Sequence, residues 1–155
     1  MTDARELSRD ECRDLLSAGA VARVAVVTPD GPHIVPVNYL LLDDTVVVRT
    51  SAYSLLGTYA RDAVVALEID HAEPGTRSGW SVVVRGRCTV ESDPRTIRSL
   101  RAMAPEGPWA GGTRNLYLRL RTDDLTGRTV GEVTPPATAE VLETLETTTD
   151  AWSGA

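Results

Sequence analysis

Gly79-Trp80-Ser81-Val82-Val83-Val84-Arg85-Gly86-Arg87-Cys88-Thr89-Val90-Glu91 is the stretch on which the fold turns. Trp80, Val82, Val84, Cys88 and Val90 share one face, and Ser81, Arg85, Arg87 and Thr89 the other. That is the period-two signature of a strand buried on one side. Gly86 interrupts it, as a bulge or a barrel bend would.

Reading outward, other segments carry the same signature. Residues 63–70 place Val65, Leu67 and Ile69 on one face. Residues 21–28, 33–42 and 45–50 are rich in β-branched side chains. The turns Pro29-Asp30-Gly31-Pro32 and Asp43-Asp44 separate them, so they read as a meander. Residues 116–121 alternate Leu116, Leu118 and Leu120 against Tyr117, Arg119 and Arg121. Helices are few. Residues 6–18 repeat Leu7, Cys12, Leu15 and Leu16 near helical spacing, with Ser8 as N-cap, Glu11 three residues on and Gly19 as a stop. A short helix is expected over 51–61. Another starts at Ser92-Asp93-Pro94 and runs to about residue 103. Residues 71–78 and 104–112 read as loops. The second, Ala104-Pro105-Glu106-Gly107-Pro108-Trp109-Ala110-Gly111-Gly112, would cover a site with Trp109.

Six strands with short helices disfavour a doubly wound parallel sheet and predict a mainly β fold, a six-stranded antiparallel Greek-key barrel. A barrel that small is filled by its own side chains. A ligand would therefore sit outside it, in a groove or between subunits.

The 155 residues suit one domain. Residues 1–130 read as that domain and residues 131–155 as an acidic tail. The tail has no basic residue but Glu132, Glu140, Glu143, Glu146 and Asp150. It reads either as a loosely ordered end or as a partly helical arm for a partner. The net charge of −6 and the absence of a basic patch argue against nucleic acid and against an anionic membrane surface. No apolar run reaches a membrane span, and the charged N-terminus lacks a signal-peptide core, so a cytoplasmic location is expected. Lys, Gln and Phe are absent; all 16 basic residues are Arg. Schiff-base chemistry and a phosphate-binding lysine are thereby excluded. Two cysteines without CxxC spacing and two histidines offer no metal cage.

Three places could hold a ligand. Arg49-Thr50-Ser51-Ala52-Tyr53-Ser54 joins a strand to a helix. It combines a guanidinium with three hydroxyls, as a Lys-free anion site would; equally, Ser51 or Ser54 is a helix cap and Arg49 a solvated edge residue. In Ile34-Val35-Pro36-Val37-Asn38-Tyr39, Pro36 marks an edge or bulge whose free backbone, with Asn38, suits a planar heterocycle or only a protected edge. Trp80 and Ser81 open the long strand, where an aromatic stacks on a ring or packs at a core or interface.

Together these motifs resemble the pyridoxamine 5'-phosphate oxidase-like family with its FMN-binding split barrel. The resemblance rests on Val35-Pro36-Val37-Asn38-Tyr39, Val48-Arg49-Thr50, Ser78-Gly79-Trp80-Ser81-Val82-Val83-Val84-Arg85-Gly86, and Leu118-Arg119-Leu120 leading to Thr126-Gly127-Arg128, across residues 7–130. It implies a homodimer with a flavin at the subunit interface, FMN or alternatively a deazaflavin. Arg49, Thr50, Ser51 and Ser54 would be phosphate contacts. Pro36, Val37, Asn38 and Tyr39 would lie beside the ring, and Trp80 and Ser81 would approach from elsewhere, including the partner chain. It implies a flavin-dependent oxidoreductase or, alternatively, a non-catalytic carrier or sensor. Two departures stand out. Leu55 follows Ser54 where relatives carry a Lys, and Arg119-Leu120-Arg121-Thr122-Asp123-Asp124 lacks the basic, aromatic closing strand of true pyridoxamine phosphate oxidases.

Overall fold

The computed structural model describes residues 4–131. Its chain order is β1 (Ala4–Glu6), α1 (Arg9–Ala18), β2 (Val21–Thr28), β3 (Gly31–Leu42), β4 (Thr45–Thr50), α2 (Leu55–Tyr59), β5 (Val64–Glu73), β6 (Ser78–Arg87), β7 (Thr89–Val90), α3 (Pro94–Met103), β8 (Leu116–Arg121) and β9 (Asp124–Val130). The strands pair antiparallel throughout, in the order β1-β9-β6-β5-β2-β3-β4-β8-β7.

Two long segments pass from one half of the barrel to the other. Residues 31–38 of β3 pair with β2, and Tyr39 to Leu42 pair with β4. The other is the stretch containing Gly86. β6 pairs with β5 and β9, whereas β7, just beyond Cys88, pairs with β8. The ladder breaks at Cys88, whose N–H donates to the Ala63 carbonyl (2.8 Å) and whose carbonyl accepts from Asp62 (2.8 Å). These changes of partner split the barrel.

The fold class is the expected one, but the strand count is nine, not six. β7 is the far end of the long strand, cut off at Cys88. β1 and β9 carry almost no apolar signal: β1 is exposed throughout, and β9 buries only Gly127 and Thr129. Inter-strand hydrogen bonding to β6 along seven residues defines β9, not its hydrophobicity. β5 also runs to Glu73, into the expected loop, because a tight turn with Arg77 at φ 55° closes the β5–β6 hairpin.

Val24, Val26, Val46, Val48, Val65, Leu67, Ile69, Val82, Val84, Leu118 and Leu120 fill the interior. β-branched side chains dominate, as suits a pleated buried surface. α1 closes one end with Cys12, Leu15 and Leu16. Its capping box is complete: Ser8 Oγ accepts from the Glu11 N–H (3.2 Å) and Glu11 Oε2 from the Ser8 N–H (2.7 Å). α3 lies outside the barrel, packing Leu100 and Ile97 on Val47, Tyr117, Leu40 and Leu42. Among the described residues no helix is long and apolar enough to cross a membrane. Apart from Gly131, the acidic tail lies outside the described residues.

The Arg5 guanidinium hydrogen bond, with the Ser8 bonds behind it, holds the Glu11 carboxyl down at about 2. Its contribution is present above the ordinary carboxylate value of 4.5 and is lost as pH falls towards about 2. Urea denaturation across that window should show a shallower acid loss of stability in Glu11→Gln than in the wild type; equal slopes refute this contribution.

Candidate functional site

Strand alternation sorts the candidate residues. Along β3, Pro36, Asn38 and Leu40 face outward; Val37 and Tyr39 face the interior. Along β4, Val47 and Arg49 face outward, while Val48 and Thr50 face inward, with Thr50 only 4% exposed. Arg49 lies opposite Tyr117 of β8, and Asn38 sits one step beyond the Tyr39–Val48 pair. Asn38, Arg49 and Tyr117 thus form a polar row across three strands at the end of the α3 packing face.

That row floors a narrow groove with about 60 Å³ of free space, walled by Leu40, Val47, Leu100, Ala104 and Pro108. The Arg49 guanidinium carbon lies 5.6 Å from the centre of the Tyr117 ring, and Nε donates to the Arg114 carbonyl (2.6 Å). Among the described residues no carboxylate pairs with Arg49. Asn38 Oδ1 accepts from the Trp109 N–H (3.0 Å). The loop over 104–112 does cover the groove, but by its backbone: the Trp109 indole is 60% exposed.

The hydroxyls expected beside Arg49 are engaged elsewhere. Ser54 caps α2, its Oγ accepting from the Gly57 N–H (2.9 Å). The same oxygen lies 2.8 Å from Thr50 Oγ1 and 2.8 Å from the Ser51 carbonyl. Ser51 Oγ accepts from the Tyr53 N–H (3.3 Å). α2 has only five residues, shorter than the span expected. Gly57 makes the turn possible: a Cβ there would come within 2.1 Å of the Ser51 carbonyl oxygen. Leu55 packs against the barrel core.

The remaining candidates are dispersed. Tyr39 is buried, and its hydroxyl donates to the Leu16 carbonyl (2.6 Å); burial pushes its ionisation far up, so it stays a neutral phenol. Pro36 is exposed in the half of β3 that has only β2 beside it, where a missing N–H is tolerated. Trp80 and Ser81 lie on β6, separated from β3 by β5 and β2. Trp80 is 7% exposed, tilted against His71 across the hairpin with ring centres 6.3 Å apart. Its Nε1 is the one buried side-chain polar atom without a partner among the described residues. The chain therefore brings Asn38 and Arg49 together and leaves Trp80 and Ser81 apart from them.

Sequence reasoning missed Tyr117, the ring under Arg49, because only the β4–β8 register reveals it. It also missed the exposed apolar strip on the outer face of β5, β2 and β3: Val64 is 60% exposed, Val27 71% and Ile34 69%. Both cysteines are buried and free. Burial, with Asp62 nearby, pushes the Cys88 thiol up to about 11, where it is inert at neutral pH.

A family model described as pyridoxamine 5'-phosphate oxidase matches residues 8–129. An uncharacterized protein of Mycobacterium tuberculosis is 33% identical over 127 residues, 79% of this chain and 82% of that one. The FAD binding protein from Mycobacterium smegmatis superposes with a TM-score of 0.64 at 28% identity, covering 82% of this chain and 98% of that one. An FAD-binding protein from Mesorhizobium loti shares the fold, with a TM-score of 0.67 at 22% identity over 85% of this chain and all (100%) of that one.

Gly57→Ala should displace the Ser51–Ser54 turn and cost about 1–3 kcal/mol, the usual range for overpacking. Thermal and urea denaturation measure it; a neutral effect would show that the turn yields to the methyl group.

Proposed function

The chain belongs to the pyridoxamine 5'-phosphate oxidase family, and on that premise we propose that it is a flavin-binding protein, an oxidoreductase acting on a small molecule. The observation that carries this reading is the groove itself. An uncompensated guanidinium and an amide stand over an apolar and aromatic floor, outside a filled barrel. Arg49 suits the anionic head group, and Asn38 a polar edge of the ring. Thr50 and Ser54 hold the α2 turn instead of the ligand, and Leu55 supplies no charge. The phosphate therefore rests mainly on Arg49. FMN is the first ligand to test, with a deazaflavin the alternative. FAD joins them, since the relative from Mycobacterium smegmatis is named for binding it.

The bound flavin would supply the electron or hydride transfer, and the chain's residues bind and orient it. The groove's charged and phenolic side chains are Arg49 and Tyr117, with no carboxyl or imidazole among its lining. That favours a second reading, a non-catalytic carrier or sensor, which turnover of a reduced nicotinamide with an acceptor dye would exclude.

A homodimer belongs to the same proposal. Val27, Ile34 and Val64 are exposed apolar side chains on the outer face of the sheet, Ile34 four residues before Asn38 on β3, the kind of surface a subunit partner covers. A second copy is also the means of bringing Ser81, on the outer face of β6, towards the site. Ile34→Asp should shift the protein from dimer to monomer in light scattering; a wild-type monomer at micromolar concentration would refute the dimer.

Titration of the purified protein with FMN, FAD and riboflavin, followed by flavin absorbance and fluorescence, tests the main reading. Arg49→Ala should weaken FMN by roughly ten- to hundredfold, the weight of a hydrogen bond to a charged group, and riboflavin much less. Absence of binding by every flavin would overturn it.

A further inference from the structure

Asn38 and Arg49 each make one hydrogen bond to the same segment of the chain, residues 104–114. At one end the Trp109 N–H donates to Asn38 Oδ1 (3.0 Å). At the other the Arg114 carbonyl accepts from Arg49 Nε (2.6 Å). Two residues before Trp109, Gly107 comes close to the guanidinium: a Cβ there would lie 3.2 Å from an Arg49 terminal nitrogen, and its φ of 71° favours glycine. The segment has little else to hold it. Residues 109–113 are all exposed, and Gly112 takes a positive φ of 93°. Its own hydrogen bonds are local, Gly107 N–H to the Ala104 carbonyl (3.1 Å) and Arg114 Nε to the Ala110 carbonyl (2.8 Å). Few buried contacts and several glycines make such a segment cheap to move.

We propose that residues 104–114 are a strap that occupies the groove's polar contacts when it is empty and is displaced by the ligand. The strap's backbone holds the ligand's place, so its polarity reports what the ligand must bring. Arg49 wants an acceptor oxygen, and Asn38, with its amide oxygen turned into the groove, wants an N–H donor. A heterocycle with a lactam or imide N–H that also carries an anionic or carbonyl oxygen meets both demands. A flavin mononucleotide carries both groups, so this inference rests on the flavin reading above. The strap sets affinity: every ligand must first break two hydrogen bonds, and loosening the strap without touching Asn38 or Arg49 strengthens binding.

Trp109→Pro removes the N–H donor and leaves Asn38 intact, whereas Trp109→Ala removes the indole and keeps the N–H. FMN and FAD affinities of both variants and the wild type are measured by flavin fluorescence. Amide exchange across residues 104–115 of the wild type is measured with and without FMN. Trp109→Pro should bind about two- to tenfold more tightly than Trp109→Ala, the net weight of one neutral hydrogen bond. The Trp109 amide should exchange at least severalfold faster in the loaded protein. Binding by Trp109→Pro where the wild type binds nothing measurable would support the strap equally. If flavin binds while the Trp109 amide stays protected, the strap is overturned and the flavin reading stands. If no variant binds any flavin, the flavin reading fails and the strap falls with it. Should Trp109→Pro fail to fold, the exchange measurement on the wild type decides alone.

Discussion

A side chain on a β-strand serves the interior or the exterior, never both, and this constraint shapes the molecule. Val46 and Val48 lie in the barrel while Val47 meets α3 outside it. The same rule separates Arg49 from Thr50, and Asn38 from Tyr39. Residues adjacent in sequence are pushed to opposite faces, so a cluster that looks compact in one dimension is divided in three. A groove on the outer face can draw only on alternate residues of each strand, and here it draws on Asn38, Arg49 and Tyr117.

Closing the barrel forces two segments to change partners midway. β3 leaves β2 for β4 after Asn38, and the ladder is interrupted at Cys88 between β6 and β7. The first of these changes falls at the groove, between Asn38 and Tyr39. Small β-branched side chains fill the interior, so any ligand of flavin size has to sit outside it. α3 then supplies the missing wall, and the chain leaving it becomes the strap. The filled interior thus decides where a ligand can go, and the segment after α3 decides how hard it is to get there.

The elements with strong local signals were legible. Ser8, Glu11 and the spacing of Cys12, Leu15 and Leu16 marked α1, and the alternation in residues 116–121 marked β8. Asp93 with Pro94 marked the start of α3. β9 was not legible, because Asp-Leu-Thr-Gly-Arg-Thr-Val is held by pairing with β6, and its inward positions are Gly127 and Thr129. In the candidate site, Asn38 and Arg49 line one groove, while the hydroxyls around Arg49 make local hydrogen bonds. Ser54 satisfies the helix end that its own sequence creates, and Thr50 turns inward to support it. Tyr39 and Trp80 are both buried, and their size and apolar bodies suit the interior, the core alternative for Trp80.

The sequence by itself determined the fold class, the helix caps, the absence of lysine chemistry and the two polar residues of the groove. These follow from local periodicity, local hydrogen bonding and composition. Only the tertiary structure decided that Tyr117 lies under Arg49, that Trp80 stands apart from it, and that residues 104–114 come back onto Asn38. Each of those depends on inter-strand register or on a loop's return path. Both are set by pairing across the whole sheet, and no short window of sequence contains them.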